Sequence, residues 1–159
     1  YATLAVMKLS DVFLALGEER TRQLVRCISI GKLRTYQLFD RVKARLYLHK
    51  LNSETLAKSA PRAWSRLNEH DDEFARDLAQ AILVSQLDMV RAVLDFLGIP
   101  HEDGFFAKDI DASAYLTDNW QERVWEKFRG NFSDVSLLLY INHLAWELTK
   151  EPQMFLPKA

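Results

Sequence analysis

"DDEFARDLAQAILVSQLDMVRAVLDFL", residues 71–97, is the stretch whose reading decides the fold. Phe74, Leu78, Ile82, Leu83, Leu87, Val90, Val93, Leu94 and Leu97 recur at helical spacing. They leave a narrow polar stripe of Asp77, Gln80, Asp88, Arg91 and Asp95. A helix that is apolar around most of its circumference must be enclosed by other helices. The pattern therefore predicts one long helix over about 71–97, standing as the central post of a bundle. Asp71, Asp72 and Glu73 face the positive end of its dipole. Asp88–Arg91 and Arg91–Asp95 fall at i,i+3 and i,i+4, so the stripe supplies its own partners.

The end of that helix is written in "LDFLGIPHEDGFF", residues 94–106. Gly98 suits the left-handed position after Leu97, Ile99 is placed to pack back on Leu94, and Pro100 forbids continuation. Asp103-Gly104 reads as a turn, after which Phe105-Phe106 re-enters the core. His101 and Glu102 alone have no structural task in this stretch.

Working outward, Ser10 is a cap for a first helix closed by Gly17, and residues 18–29 form a second helix before Gly31. From Lys32 to about Lys50 a helix is expected on the spine Leu38, Val42 and Leu46. Asn52 or Ser53 caps the next, which Pro61 must kink or restart. Trp120, Val124 and Phe128 mark a helix ended by Gly130, and Ser133 or Asp134 opens the last. The total is roughly 60–70% helix, against the usual third. No alternating strand, repeat or low-complexity linker stands out. The expected fold class is all-α, a single domain over 1–159 with six to seven helices.

Apolar residues are 48% and charged residues 27%, which argues against a disordered chain. The single cysteine, Cys27, excludes an internal disulfide and a multi-cysteine zinc site; lying between Leu24 and Ile28, it reads as a buried, inert thiol. No apolar run approaches the ~18 residues of a spanning helix, so no membrane partner is expected. The opening "YATLAVMKLS" shows no leader, and it lacks an initiator Met, so trimming upstream is open. A cytoplasmic location is the expectation.

The net charge of −1 conceals a division. Residues 1–67 hold 13 Lys/Arg and 5 Asp/Glu, a basic half of +8, and residues 68–159 form an acidic half of −9. Arg34, Arg41, Lys43 and Arg45 concentrate the positive charge in the 32–66 region, a surface suited to phosphates or an acidic partner. Gly31 gives residues 23–42 a partial likeness to a helix-turn-helix, but Gln37 and Asp40 would stand where packing residues belong. Tyr36, Tyr47 and Trp64 interleave with these charges and suit base stacking or a core equally.

Chemical motifs are scarce. None of His49, His70, His101 and His143 has Glu three residues before it, and no His-Glu-x-x-His, phosphate loop, Gly-x-Ser-x-Gly or Gly-x-Gly-x-x-Gly occurs. No cofactor or metal is called for. His143 and Glu147 share a helix face, within a stripe with Ser136, Tyr140 and Lys150 that reads as exposed. The leading expectation is a non-catalytic interaction module, binding an acidic protein surface or a second copy through Arg34, Arg41, Lys43 and Arg45. The alternatives are nucleic-acid binding through 32–66, and a small-molecule or metal-dependent enzyme around His101, Glu102, His143 and Glu147.

Overall fold

The computed structural model describes residues 8–46 and 52–157. Tyr47, His49 and Lys50 of the basic stretch lie outside the described residues. Ten α-helices are described: α1 Leu9–Leu16, α2 Glu18–Arg26, α3 Ile30–Thr35, α4 Phe39–Arg45, α5 Ser53–Lys58, α6 Ala60–Asn68, α7 Asp72–Val84, α8 Leu87–Leu97, α9 Trp120–Phe128 and α10 Asp134–Leu148. A two-residue hairpin, β1 His101–Glu102 with β2 Phe105–Phe106, follows α8, and a 3-10 turn spans Ala112–Tyr115. Helix makes up 67% of the described residues, so the fold is all-α. No described helix is long and apolar enough to cross a membrane.

The helices outnumber the six to seven expected because three of them are each divided; the one through Pro61 restarts as α6 after α5, and two long helices are broken. The expected post over 71–97 is α7 and α8, separated at Ser85–Gln86. Gln86 leaves helical geometry at φ −134°, ψ 47°. Ser85 Oγ accepts the Ser29 N–H at 2.8 Å and donates to the Ala81 carbonyl at 2.8 Å, while Gln86 Nε2 donates to Ser136 Oγ at 2.7 Å. These polar groups tie the break to the α2–α3 loop and to α10, and the Ser85 bond to the carbonyl four residues back is of the kind that weakens and bends helices. α7 then packs among α1, α3, α4, α6 and α10, while α8 turns to α9.

The expected helix from Lys32 is likewise α3 and α4. Gln37 stands at φ 60°, with the Leu38 N–H on the Leu33 carbonyl (2.7 Å) and the Gln37 N–H on that of Arg34 (3.2 Å). This is a Schellman ending, and with α3 only six residues long the helix-turn-helix likeness goes no further. The ending expected at Gly98 is present: φ is 78°, Ile99 N–H reaches the Leu94 carbonyl at 3.0 Å, and Ile99 is buried.

Two other local expectations change. Ser10 is not a cap: it is buried inside α1, and its hydroxyl donates to Asp72 at 2.6 Å. Cys27, placed after the last turn of α2, is exposed. The core falls into two clusters, one among α1 to α7 and one among α8, α9 and α10 with Leu83 of α7. α10 serves both: Leu138 and Leu139 enter the first, and Leu137, Tyr140, Ile141 and Leu144 the second.

Candidate functional site

The hairpin positions the site. Asp103 and Gly104 both have positive φ, at 51° and 91°, as a two-residue primed turn requires. A Cβ on Gly104 would stand 3.1 Å from both Leu87 Cδ2 and Val90 Cγ1, so only glycine lets the turn press on α8. His101 fixes the hairpin from its other side. Its Nδ1 accepts the Gly104 N–H at 3.1 Å, and Nε2, which then carries the proton, bonds Asp95 Oδ1 at 2.7 Å.

Beneath the hairpin lies a cavity of about 350 Å³. Its apolar walls are Leu38, Leu83, Val84, Leu87 and Val90, with Phe105 and Phe106 as cover and Tyr36 and Tyr140 completing an aromatic lining. Tyr36 and Phe105 meet at 5.7 Å between ring centroids. The polar groups are few: Arg41 and Gln80 on one part of the rim, His143 and Glu147 on the α10 side.

Of the α10 stripe read as exposed, Ser136, Tyr140 and His143 are turned inward, while Glu147 and Lys150 remain exposed. Ser136 and Tyr140 are buried, and the His143 side chain keeps 13% of its surface, because α10 is packed on both flanks and its polar residues meet α7 and the hairpin. His143 Nδ1 is buried with no hydrogen-bond partner, although Glu147 Oε2 lies 3.5 Å away. Burial holds the ring neutral, with its pKa lowered to about 4. Burial also raises the Glu147 carboxyl and, with the Glu147 charge adding to it, the Tyr140 hydroxyl. Glu147 itself stands at the mouth, with 41% of its side chain open.

Of the four residues around which an enzyme was envisaged, the structure brings His143 and Glu147 together in the cavity. His101 and Glu102 do not line it; they form the outer strand of the hairpin whose inner strand does. No group of three or more His, Cys, Asp or Glu among the described residues is arranged to hold a metal ion.

The basic residues are distributed differently from a free docking stripe. Arg41 lies 3.7 Å from Asp77 and donates to Gln80 Oε1 at 2.9 Å. Arg45 pairs with Glu73 and, at 3.3 Å, with Asp77. Arg66 pairs with Asp71, whose carboxyl is held below its ordinary range by the Phe74 N–H and then by Arg66. Arg34 is exposed and lies over the Phe39 ring at 4.3 Å, and Lys43 is partly exposed. Basic side chains of residues 1–67 thus face acidic ones of 68–159 within one molecule.

The cavity was not legible as such in the sequence. Arg41, His143 and Glu147 were each singled out, but nothing local to them links 41 with 143. No family model matches the chain, and comparison with curated proteins and with solved structures likewise gives no match.

Proposed function

We propose that the chain is a binding module whose ligand is a small, largely apolar molecule held in the cavity beneath the hairpin. The observation that carries this reading is the cavity itself. Small-molecule sites are concave, mostly apolar and furnished with a few convergent polar groups, at volumes of about 300–1,000 Å³. This one has hydrocarbon and aromatic walls around His143, Glu147, Arg41 and Gln80, and at about 350 Å³ it suits a ligand with one ring or one branched chain. A binding role was also the leading expectation from the sequence. The ligand proposed is now a small molecule because Arg41 and Arg45, two of the charges meant for an acidic partner, are engaged by α7.

The test is a titration of the isotope-labelled protein with toluene, followed by amide NMR. Saturable shifts confined to Leu83, Leu87, Val90, Gly104, Phe105 and Tyr140 are expected. Absence of shifts, or shifts scattered over the surface, would remove the cavity as a ligand site.

A further inference from the structure

The charges lining the cavity are unequally answered. Arg41 is positive, but Asp77 at 3.7 Å and Gln80 at 2.9 Å already engage its guanidinium. Glu147 is the other charged group, and no Lys or Arg among the described residues pairs with it; its ion-pair neighbour is His143. Burial keeps that ring neutral at ordinary pH, its pKa lowered to about 4. It offers Glu147 no positive charge, and one of its own nitrogens has no partner. The α10 side of the cavity therefore presents a carboxylate, able to accept hydrogen bonds, beside an uncharged imidazole ring. Tyr36, Phe105 and Tyr140 add aromatic rings, whose faces attract cations.

We propose that the cavity takes an organic amine, its ammonium group seated between the Glu147 carboxylate and the His143 ring, and its apolar body against Leu87, Val90 and Phe105. The inference rests on the ligand-binding reading of the cavity. A carboxylate ligand is disfavoured by the same geometry: it would meet Glu147, and the one cation on the rim is already held by Asp77. A neutral ligand would fill the walls but leave Glu147 without a counter-charge.

Isothermal titration of the protein with three compounds of one shape, 2-phenylethylamine, 2-phenylethanol and 3-phenylpropanoate, tests it. The amine is expected to bind at least about tenfold more tightly than the alcohol, the size of one charge-assisted hydrogen bond. Glu147→Gln should abolish that advantage, read as the ratio of amine to alcohol affinity within the variant; Glu147 is at the open rim, so the substitution spares the core. Acidification should weaken the amine, because protonating Glu147 removes its charge. Equal affinities for amine and alcohol, or tightest binding of the acid, would overturn the amine assignment while leaving the cavity a ligand site. Failure of all three compounds and of toluene would overturn both.

Discussion

Asn142 is fully buried in α10 and answers three backbone groups. Its Oδ1 accepts the Phe155 N–H at 2.7 Å, and its Nδ2 donates to the carbonyls of Phe155 at 3.0 Å and Leu138 at 2.8 Å. One side chain thus gives the segment after α10 the pairing that a neighbouring strand would give. Asn142→Leu leaves the Phe155 groups without these partners, and a loss of about 2–3 kcal/mol in urea unfolding is expected. Faster hydrogen exchange at the Phe155 amide should accompany it, and unchanged exchange there would show that the clamp does not hold the segment. His143, one residue on, makes a different prediction. Its pKa falls from 6.5 to about 4 on folding, so the unfolded chain takes up this proton first as the pH drops. The stability tied to the neutral ring is whole above pH 6.5, declines below it and is gone near pH 4, a loss of about 3 kcal/mol. Glu147, raised by burial, acts in the opposite sense as acid is added. The comparison is therefore wild type against His143→Phe, whose stability should lack the His143 decline across that window; parallel pH curves would refute the assignment.

At the scale of the element, the fold turns on left-handed residues that end helices. Gly98 was readable because glycine is the residue type that adopts positive φ without cost. Gln37 and His70 do the same work at φ 60° and 57°, with the Asp71 N–H returning to the Arg66 carbonyl as Leu38 returns to Leu33. Neither residue type signals a stop, so the break at 36–38 was hidden within an unbroken apolar spine. The break at Ser85–Gln86 was hidden for another reason: its hydrogen bonds go to Ser29 and Ser136, more than 40 positions away in each direction. Local periodicity carries no record of such partners. Gly98, which ends α8, and Gly104, in the hairpin turn, also separate two effects. Gly98→Ala meets nothing within 4 Å, so only backbone strain is added, about 1 kcal/mol. Gly104→Ala adds the same strain and drives a methyl to 3.1 Å from Leu87 and Val90. Its cost should be larger, about 2–3 kcal/mol, with the excess read as the difference between the two urea midpoints. Equal costs would mean the hairpin shifts freely over α8.

For the whole molecule, the division of charge along the chain becomes an attraction inside it. Asp77, with 12% of its side chain exposed, receives both Arg41 and Arg45 and so joins α4 to α7. Asp77→Asn should destabilise the protein by about 1–2 kcal/mol, because Arg45 is only 30% exposed and loses a partner where water is scarce. An unchanged unfolding midpoint would show that solvent replaces the pair. The helical class and the two charge halves were legible because composition and periodicity are local properties. The cavity was not, since its walls come from residues 36–41, 80–90, 104–106 and 140–147, and only the tertiary fold places them together. The same distance along the chain has a consequence in time. α1 packs on α7 and α10, and its cluster is completed by Leu138 and Leu139. A ribosome adding about 5–20 residues per second needs roughly ten seconds to pass from α1 to that last helix. Through that interval α1 lacks the α10 side of its packing, so the helix made before the other nine described is among the last of them to be finished.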